Sequence, residues 1–302
     1  REVIVIKTQF ELFKARRFLP LFLTQFFGAF NDNLFKNALV ILITFRLAEA
    51  NGLNAQILIT VVAGLFILPF FLFSATAGQL ADKYEKSFLI KIIKFVEIVL
   101  IVMTAAAFHF MSLWGLVALL FFMGAQSTFF GPLKFSILPQ HLHKDELVAG
   151  NGLVSAGTYI AILTGTLCGG LFILHEHGRI LISVGIIGVA VLGYISSCFI
   201  PKAEAPAPDM KIDLCIPRAT WQIISYVLPQ KTVFRAILGI SWFWFLGSVF
   251  LSQFPTFSKD ILGGNEQVST LFLVVFSIGV GFGSTLCNKL LKGHVSGRLV
   301  PF

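Results

Sequence analysis

Apolar residues run along the chain in long blocks, at 18–47, 56–81, 88–108, 113–137, 149–174, 179–200, 233–258 and 268–291. A helix needs about 20 mostly apolar residues to cross the hydrocarbon core of a bilayer, so the pattern predicts eight spanning helices. Short polar turns join the first six. The segment PKAEAPAPDMKIDLCIPRATWQIISYVLPQK, 201–231, then breaks the rhythm with five prolines and charges of both signs. The expected organisation is an arm at 1–17, a six-helix bundle at 18–200, a linker at 201–232 and the beginning of a second bundle at 233–302.

Polar residues inside the apolar blocks are the exceptions that need a cause. The first block contains QFFGAFNDNLFKNALVIL, with Asp32 and Lys36 one turn apart and Asn31, Asn33 and Asn37 around them. Asp32 stands about fourteen residues into the helix, roughly 21 Å of rise in a core about 30 Å thick. Ionisable groups at such depth are costly and pair with one another or face a wet cavity. At i, i+4 the two charges can neutralise each other, but three asparagines beside them favour a substrate or gating site in a cavity. In the fourth block, GPLKFSILPQHLHKDE predicts a helix break at Gly131 and Pro132, just before Lys134. Lys134 then either reaches for the interface or meets an anionic group such as phosphate. Glu97, three residues after Lys94, is expected to be solvated near the helix start.

Composition agrees with a multi-pass membrane protein: 56% of the 302 residues are hydrophobic and 13% charged, against roughly 25% charged in soluble domains. All but five of the 23 Lys and Arg fall in the N-terminal arm (Lys7 to Arg17), the turns after the second and fourth blocks, the start of the third block, the linker and the tail through Lys292 and Arg298. Arg46, Arg179 and Lys259 stand at the opposite ends, and Lys36 and Lys134 lie within blocks. This bias accounts for the net charge of +8 and predicts a cytosolic N-terminus and linker, without nucleic acid. No signal peptide is visible. The opening Arg1 and the closing GRLVPF suggest a piece of a longer protein.

Nothing predicts an enzyme, a cofactor or a metal site. The four cysteines are scattered without ligand spacing, and His175, Glu176 and His177 sit in a solvated turn. In HLHKD, His141 and Asp145 are too close together for an acyltransferase pair, and Asp145 is better placed to cap the fifth helix. Gly157, Gly165, Gly169 and Gly170 recur on one face of that helix, where small residues let backbones approach closely, at a helix contact or the interface between bundles.

Between the second and third blocks, GQLADKYEK resembles motif A of the major facilitator superfamily, with Gly78, Asp82 and Lys83 at its key positions and Glu85 where the family often has glycine. Gly78 would permit a close helix approach, and Asp82 would cap or pair with a base. GSTLCNKLLKG, 283–293, looks like a decayed second copy in which Asn288 and Lys289 replace Asp82 and Lys83. The fold expected is an all-α membrane protein of two six-helix halves, the second cut short, rocking about a midplane site.

FLPLFLTQFFGAFNDNLFKNALVIL, FFGPLKFSILPQHL and NGLVSAGTYIAILTGTLCGG together resemble the bacterial lysophospholipid transporter family of that superfamily. SWFWFLGSVFLSQFP and LVPF are closer to the branch fused to an acyltransferase and acyl-carrier-protein synthetase. The resemblance implies a multi-pass carrier in the bacterial inner membrane, moving lysophosphatidylethanolamine and lysophosphatidylglycerol from outer to inner leaflet for reacylation by an enzyme, fused or separate. Asp32 and Lys134 match the family's charged positions in the first and fourth helices. The base that some members carry in the seventh helix has no counterpart around Leu251, Ser252 and Gln253. Two other readings stand beside it: a proton-coupled exporter of amphipathic drugs, which the same fold and a buried carboxylate would serve, and a membrane anchor for an attached acyltransferase, against which the polar residues of the first helix argue.

Overall fold

The computed structural model describes residues 9–263 and 266–291. Lys7, Lys292, Arg298 and LVPF lie outside them, as do the side chains of Leu251, Ser252, Gln253, Lys259 and Asn288. Among the described residues there is no strand. The helices are α1 (Leu19–Leu42), α2 (Ala55–Lys83), α3 (Lys86–His109), α4 (Leu113–Ser136), α5 (Leu147–Ile173), α6 (Gly178–Cys198), α7 (Ile216–Val227), α8 (Lys231–Thr256) and α9 (Glu266–Leu291).

Among the described residues, five helical segments are long and apolar enough to cross a membrane, in α2, α4, α5, α6 and the later part of α9, or six if the bent pair α7 and α8 forms one span. The sequence pattern marked eight. Both α1 and α3 are 24 residues long, and their apolar runs are interrupted by ionisable side chains, Asp32 and Lys36 in one and Lys91, Lys94 and Glu97 in the other.

Local chemistry sets the helix starts. Asn54 accepts from the Ile57 N–H ahead of α2, Ser112 from Gly115 ahead of α4, and Glu85 from Ser87 and Phe88 ahead of α3, each answering a donor the first turn leaves open. At α5 the expected cap is absent. Asp145 does not cap it; the Glu146 carboxylate instead accepts from the His143 N–H in the short turn before the helix. The break expected at Gly131 and Pro132 is also absent. Pro132 sits inside a continuous α4, and the helix ends only at Ile137. A proline ring removes one helix hydrogen bond, a loss that packed membrane helices tolerate.

Two compact units emerge, residues 1–212 with 281–302, and residues 213–280. In the first, α1 packs mainly on α5 and α6, α2 on α4, and α3 on α6 and α4. The division falls inside the expected linker for a visible reason: residues 202–207 are tied to the first unit. Ala203 N donates to Glu85 and its carbonyl accepts from Lys86 N, while Ala207 N donates to the Asp82 carbonyl. The second unit contains α7, which the proline-rich sequence had not announced.

The first unit has two apolar clusters. One surrounds Phe35, Ile101, Phe108, Leu116 and Ile186; the other surrounds Phe18, Ile90, Leu133, Leu138 and Leu153. Between the clusters stand polar side chains: Asn31, Asp32 and Asn33 on α1, Lys94 and Glu97 on α3, and Gln126, Ser127 and Thr128 on α4. A polar belt therefore crosses the bundle between two hydrophobic plugs.

Candidate functional site

Asp32 is the centre of that belt. Its Oδ2 accepts a 2.5 Å hydrogen bond from Ser127 Oγ on α4. Its Oδ1 is shielded from solvent and has no hydrogen-bond partner among the described residues. The pair with Lys36 that the i, i+4 spacing allows does not form. Lys36 Nζ donates to Asn33 Oδ1 at 3.0 Å and lies 5.3 Å from the centre of the Phe66 ring. The two charges share a helix face, but each has been given another neighbour, so mutual neutralisation does not account for their presence.

Gln126 Oε1 lies 3.1 Å from the same serine oxygen, but the single hydroxyl hydrogen of Ser127 serves Asp32. Gln126 Nε2 donates to Glu97 Oε2 at 2.9 Å, and Lys94 Nζ donates to the same oxygen at 2.6 Å. Lys94 and Glu97 are each 1% exposed. The expectation of a solvated Glu97 is thus corrected: α4 and α1 close over it, and Gly28 is the residue that leaves room for the Lys94 ammonium. Lys94 also stands 4.6 Å from the Phe130 ring centre. Adjacent residues of α4, a serine and a glutamine, thus each hold one of two carboxylates, across three helices.

The asparagines anchor helices. Asn31 Nδ2 donates to the Ile186 carbonyl of α6 at 3.0 Å, Asn37 Nδ2 to the Thr166 carbonyl of α5 at 2.7 Å, and Asn33 Nδ2 to Ala29 in its own helix. Gln25 and Thr158 add another α1 to α5 link at 2.8 Å. Asn33 and Asn37 thus spend their donors on backbone, while Asn33 Oδ1 holds Lys36. Lys134 is half-buried, 5.0 Å from the Phe135 ring centre. Among the described residues no hydrogen bond joins Lys134 to Asp32, Ser127, Gln126 or Glu97.

The glycines of α5 face α1. A Cβ at Gly165 would run into the Phe30 carbonyl, one at Gly169 into the Leu34 carbonyl, and one at Gly157 into the Phe22 ring. Gly124 of α4 meets the Phe66 carbonyl of α2 in the same way, a second close crossing with no repeat in sequence to reveal it. At Gly78 a Cβ would meet nothing within 4 Å; no neighbour among the described residues uses the space that the motif was expected to open. Asp82 makes no ion pair among the described residues, and Lys83 lies 5.9 Å from the Tyr84 ring centre. The residue that does the tying in this turn is Glu85. Burial opposes its charge, but hydrogen bonds from Ala203, Ser87 and Phe88 hold its carboxyl below the usual carboxylate range. Nearby, Arg17 grips Glu146 through two bonds of 2.5 and 2.7 Å and donates to the His141 carbonyl.

Residues 21–301 match the family profile of the Major Facilitator Superfamily. The chain belongs to that superfamily. Among its relatives are proteins named lysophospholipid transporter LplT: 25% identity to that of Escherichia fergusonii, 26% to that of Photorhabdus laumondii, each over 92% of this chain and 67% of the relative, and 23% to that of Cronobacter sakazakii over 95% and 69%. The chain therefore spans about two thirds of these relatives. It is a membrane transporter of the major facilitator superfamily, related to lysophospholipid transporters, and the buried belt around Asp32 is its candidate site.

Proposed function

We propose that this protein moves lysophosphatidylethanolamine and lysophosphatidylglycerol from the outer to the inner leaflet of a bacterial inner membrane. It would do so by alternating access of two helical halves in a twelve-helix transporter. Its N-terminus faces the cytosol, where an acyltransferase and acyl-carrier-protein synthetase, fused or separate, reacylate the product. The observation that carries the reading is Asp32 Oδ1, an acceptor kept dry and unpartnered between two apolar clusters. A buried acceptor left open is costly, so its retention favours a guest that supplies the missing donor. An ethanolamine ammonium or a glycerol hydroxyl would do so.

In this account Lys134 draws the headgroup phosphate by its charge, Asp32 receives the donor end of the headgroup, and Lys36 is available as an exchange partner for Asp32. Asn33 and Asn37 hold the helix that presents them. Gly78, Asp82 and Lys83 serve the turn on the cytosolic side, and Gly157, Gly165 and Gly169 keep α5 close against α1. The acyl chain needs only an apolar wall, which the surface of any helix here supplies.

The test is lysolipid inward movement by the full-length protein in proteoliposomes, comparing wild type with a Lys134→Ala, Asp32→Asn double variant. Loss of movement in a variant that inserts and folds normally supports the roles assigned; retained movement rejects them.

A further inference from the structure

We infer that α7 is an in-plane membrane helix, lying along an anionic bilayer surface with its apolar side in the acyl region. Its 12 residues give a length of about 18 Å, too short to cross a core of about 30 Å. It turns into α8 through a bend of 119°, so it does not continue that helix as a straight span.

Its side chains are segregated by face. Arg218, Gln222 and Ser225 recur at i, i+4 and i+7 on one face, Ile223, Ile224 and Val227 lie on the opposite side, and Trp221 and Tyr226 stand at the two boundaries between them. Trp221 is 65% exposed, and Ile223, Ile224, Tyr226 and Leu228 are exposed as well. A short helix with one apolar face, a polar face and an amphipathic aromatic ring is the form taken by helices that rest in the membrane interface. Pro217 and Pro229 bracket it, the first at a helix start where a missing N–H costs nothing.

Charge selects the surface. Between Asp213 and Lys259 the chain carries Arg218, Lys231 and Arg235 and no acidic residue; Arg218 lies 3.4 Å from Asp213, and Lys231 and Arg235 follow the helix at the start of α8. Clustered bases beside an apolar face bind the negative leaflet of a bilayer. Assigning that leaflet to the cytosolic side rests on the proposed sidedness; the attachment itself does not.

The experiment is tryptophan quenching of the full-length protein in proteoliposomes containing phosphatidylglycerol, taking the difference between wild type and Trp221→Phe to isolate one ring. Lipids with brominated acyl chains are expected to quench the Trp221 component several-fold more than aqueous iodide does. A tryptophan placed on the polar face, Gln222→Trp in the Trp221→Phe background, is expected to show the reverse. Replacing phosphatidylglycerol by phosphatidylcholine is expected to weaken the bromine effect. Quenching of Trp221 by iodide and not by bromine overturns the inference, and so does shielding from both, which would mean that protein covers the face. None of these readouts depends on lysolipid transport, so failure here and failure of the transport reading are separately visible.

Discussion

Ser127 on α4 donates to Asp32 on α1 across 2.5 Å, and this one bond ties the charge in the first helix to α4, where neighbouring Gln126 donates to the Glu97 carboxylate that Lys94 also holds. The serine fixes one oxygen of the carboxylate and leaves the other open. Orientation of Asp32 is therefore a property of α4 as much as of α1.

Ser127→Ala is expected to slow lysolipid movement about tenfold, the equivalent of losing roughly 1.4 kcal/mol, just below the range of about 1.5 to 3 kcal/mol for a hydrogen bond to a charged group. Because the change leaves both oxygens of a buried carboxylate without a donor among the described residues, the unfolding temperature in detergent should fall as well, by the equivalent of about 1 to 3 kcal/mol. Transport rate and unfolding temperature measured on the same preparation separate the two effects.

The Lys94 and Glu97 pair makes a prediction about stability. Removing one member of a buried ion pair strands the other and costs about 3 to 5 kcal/mol, whereas replacing both with apolar residues is often neutral. Glu97→Leu alone should be strongly destabilised, and Lys94→Met with Glu97→Leu should recover most of the loss. Equal unfolding temperatures for the single variant and wild type would show that the pair is not sealed from solvent.

Close packing of α5 on α1 gives a contrast within one residue type. Gly165→Ala and Gly169→Ala each push a methyl against backbone carbonyl oxygen and should cost about 1 to 3 kcal/mol. Gly185→Ala on α6 meets nothing within 4 Å and should be neutral or slightly stabilising, since alanine is the better helix former. Unfolding temperatures of the three variants, measured side by side, check this.

Glu85 introduces a pH dependence. Its folded-state carboxyl lies below the ordinary value of 4.5, so its contribution is complete above that value and is lost as pH falls through the lower folded one. As a helix cap it is worth about 1 kcal/mol. The stability gap between wild type and Glu85→Gln should be largest near neutrality and close as the medium is acidified below 4.5, a trend that melting curves at several pH values would record.

Much of the bundle was legible because spanning helices are written in long apolar blocks, and Asp32 and Lys36 stood out against theirs. Their partners did not. A single serine such as Ser127 is unremarkable in an apolar helix, and nothing in sequence says that it faces Asp32 on another. Glu97 looked wet because it lies near a basic helix start; only packing of Gln126 and Phe130 over it makes it dry. Local pairing rules allowed Asp32 with Lys36, but tertiary contacts offered each a better-placed neighbour. The helix α7 was hidden by its prolines, although the i, i+4, i+7 recurrence of Arg218, Gln222 and Ser225 was its signal. Glu85 occupied the motif position that looked like a departure from the family, and it became the cap that fastens Ala203.

The most direct test of the central claim is translocation of lysophosphatidylethanolamine in proteoliposomes by the full-length protein, wild type beside Asp32→Asn. The account predicts that wild type moves the lipid inward and that the variant, folded and inserted to the same extent, does not. Equal rates for the two proteins would contradict a working role for Asp32.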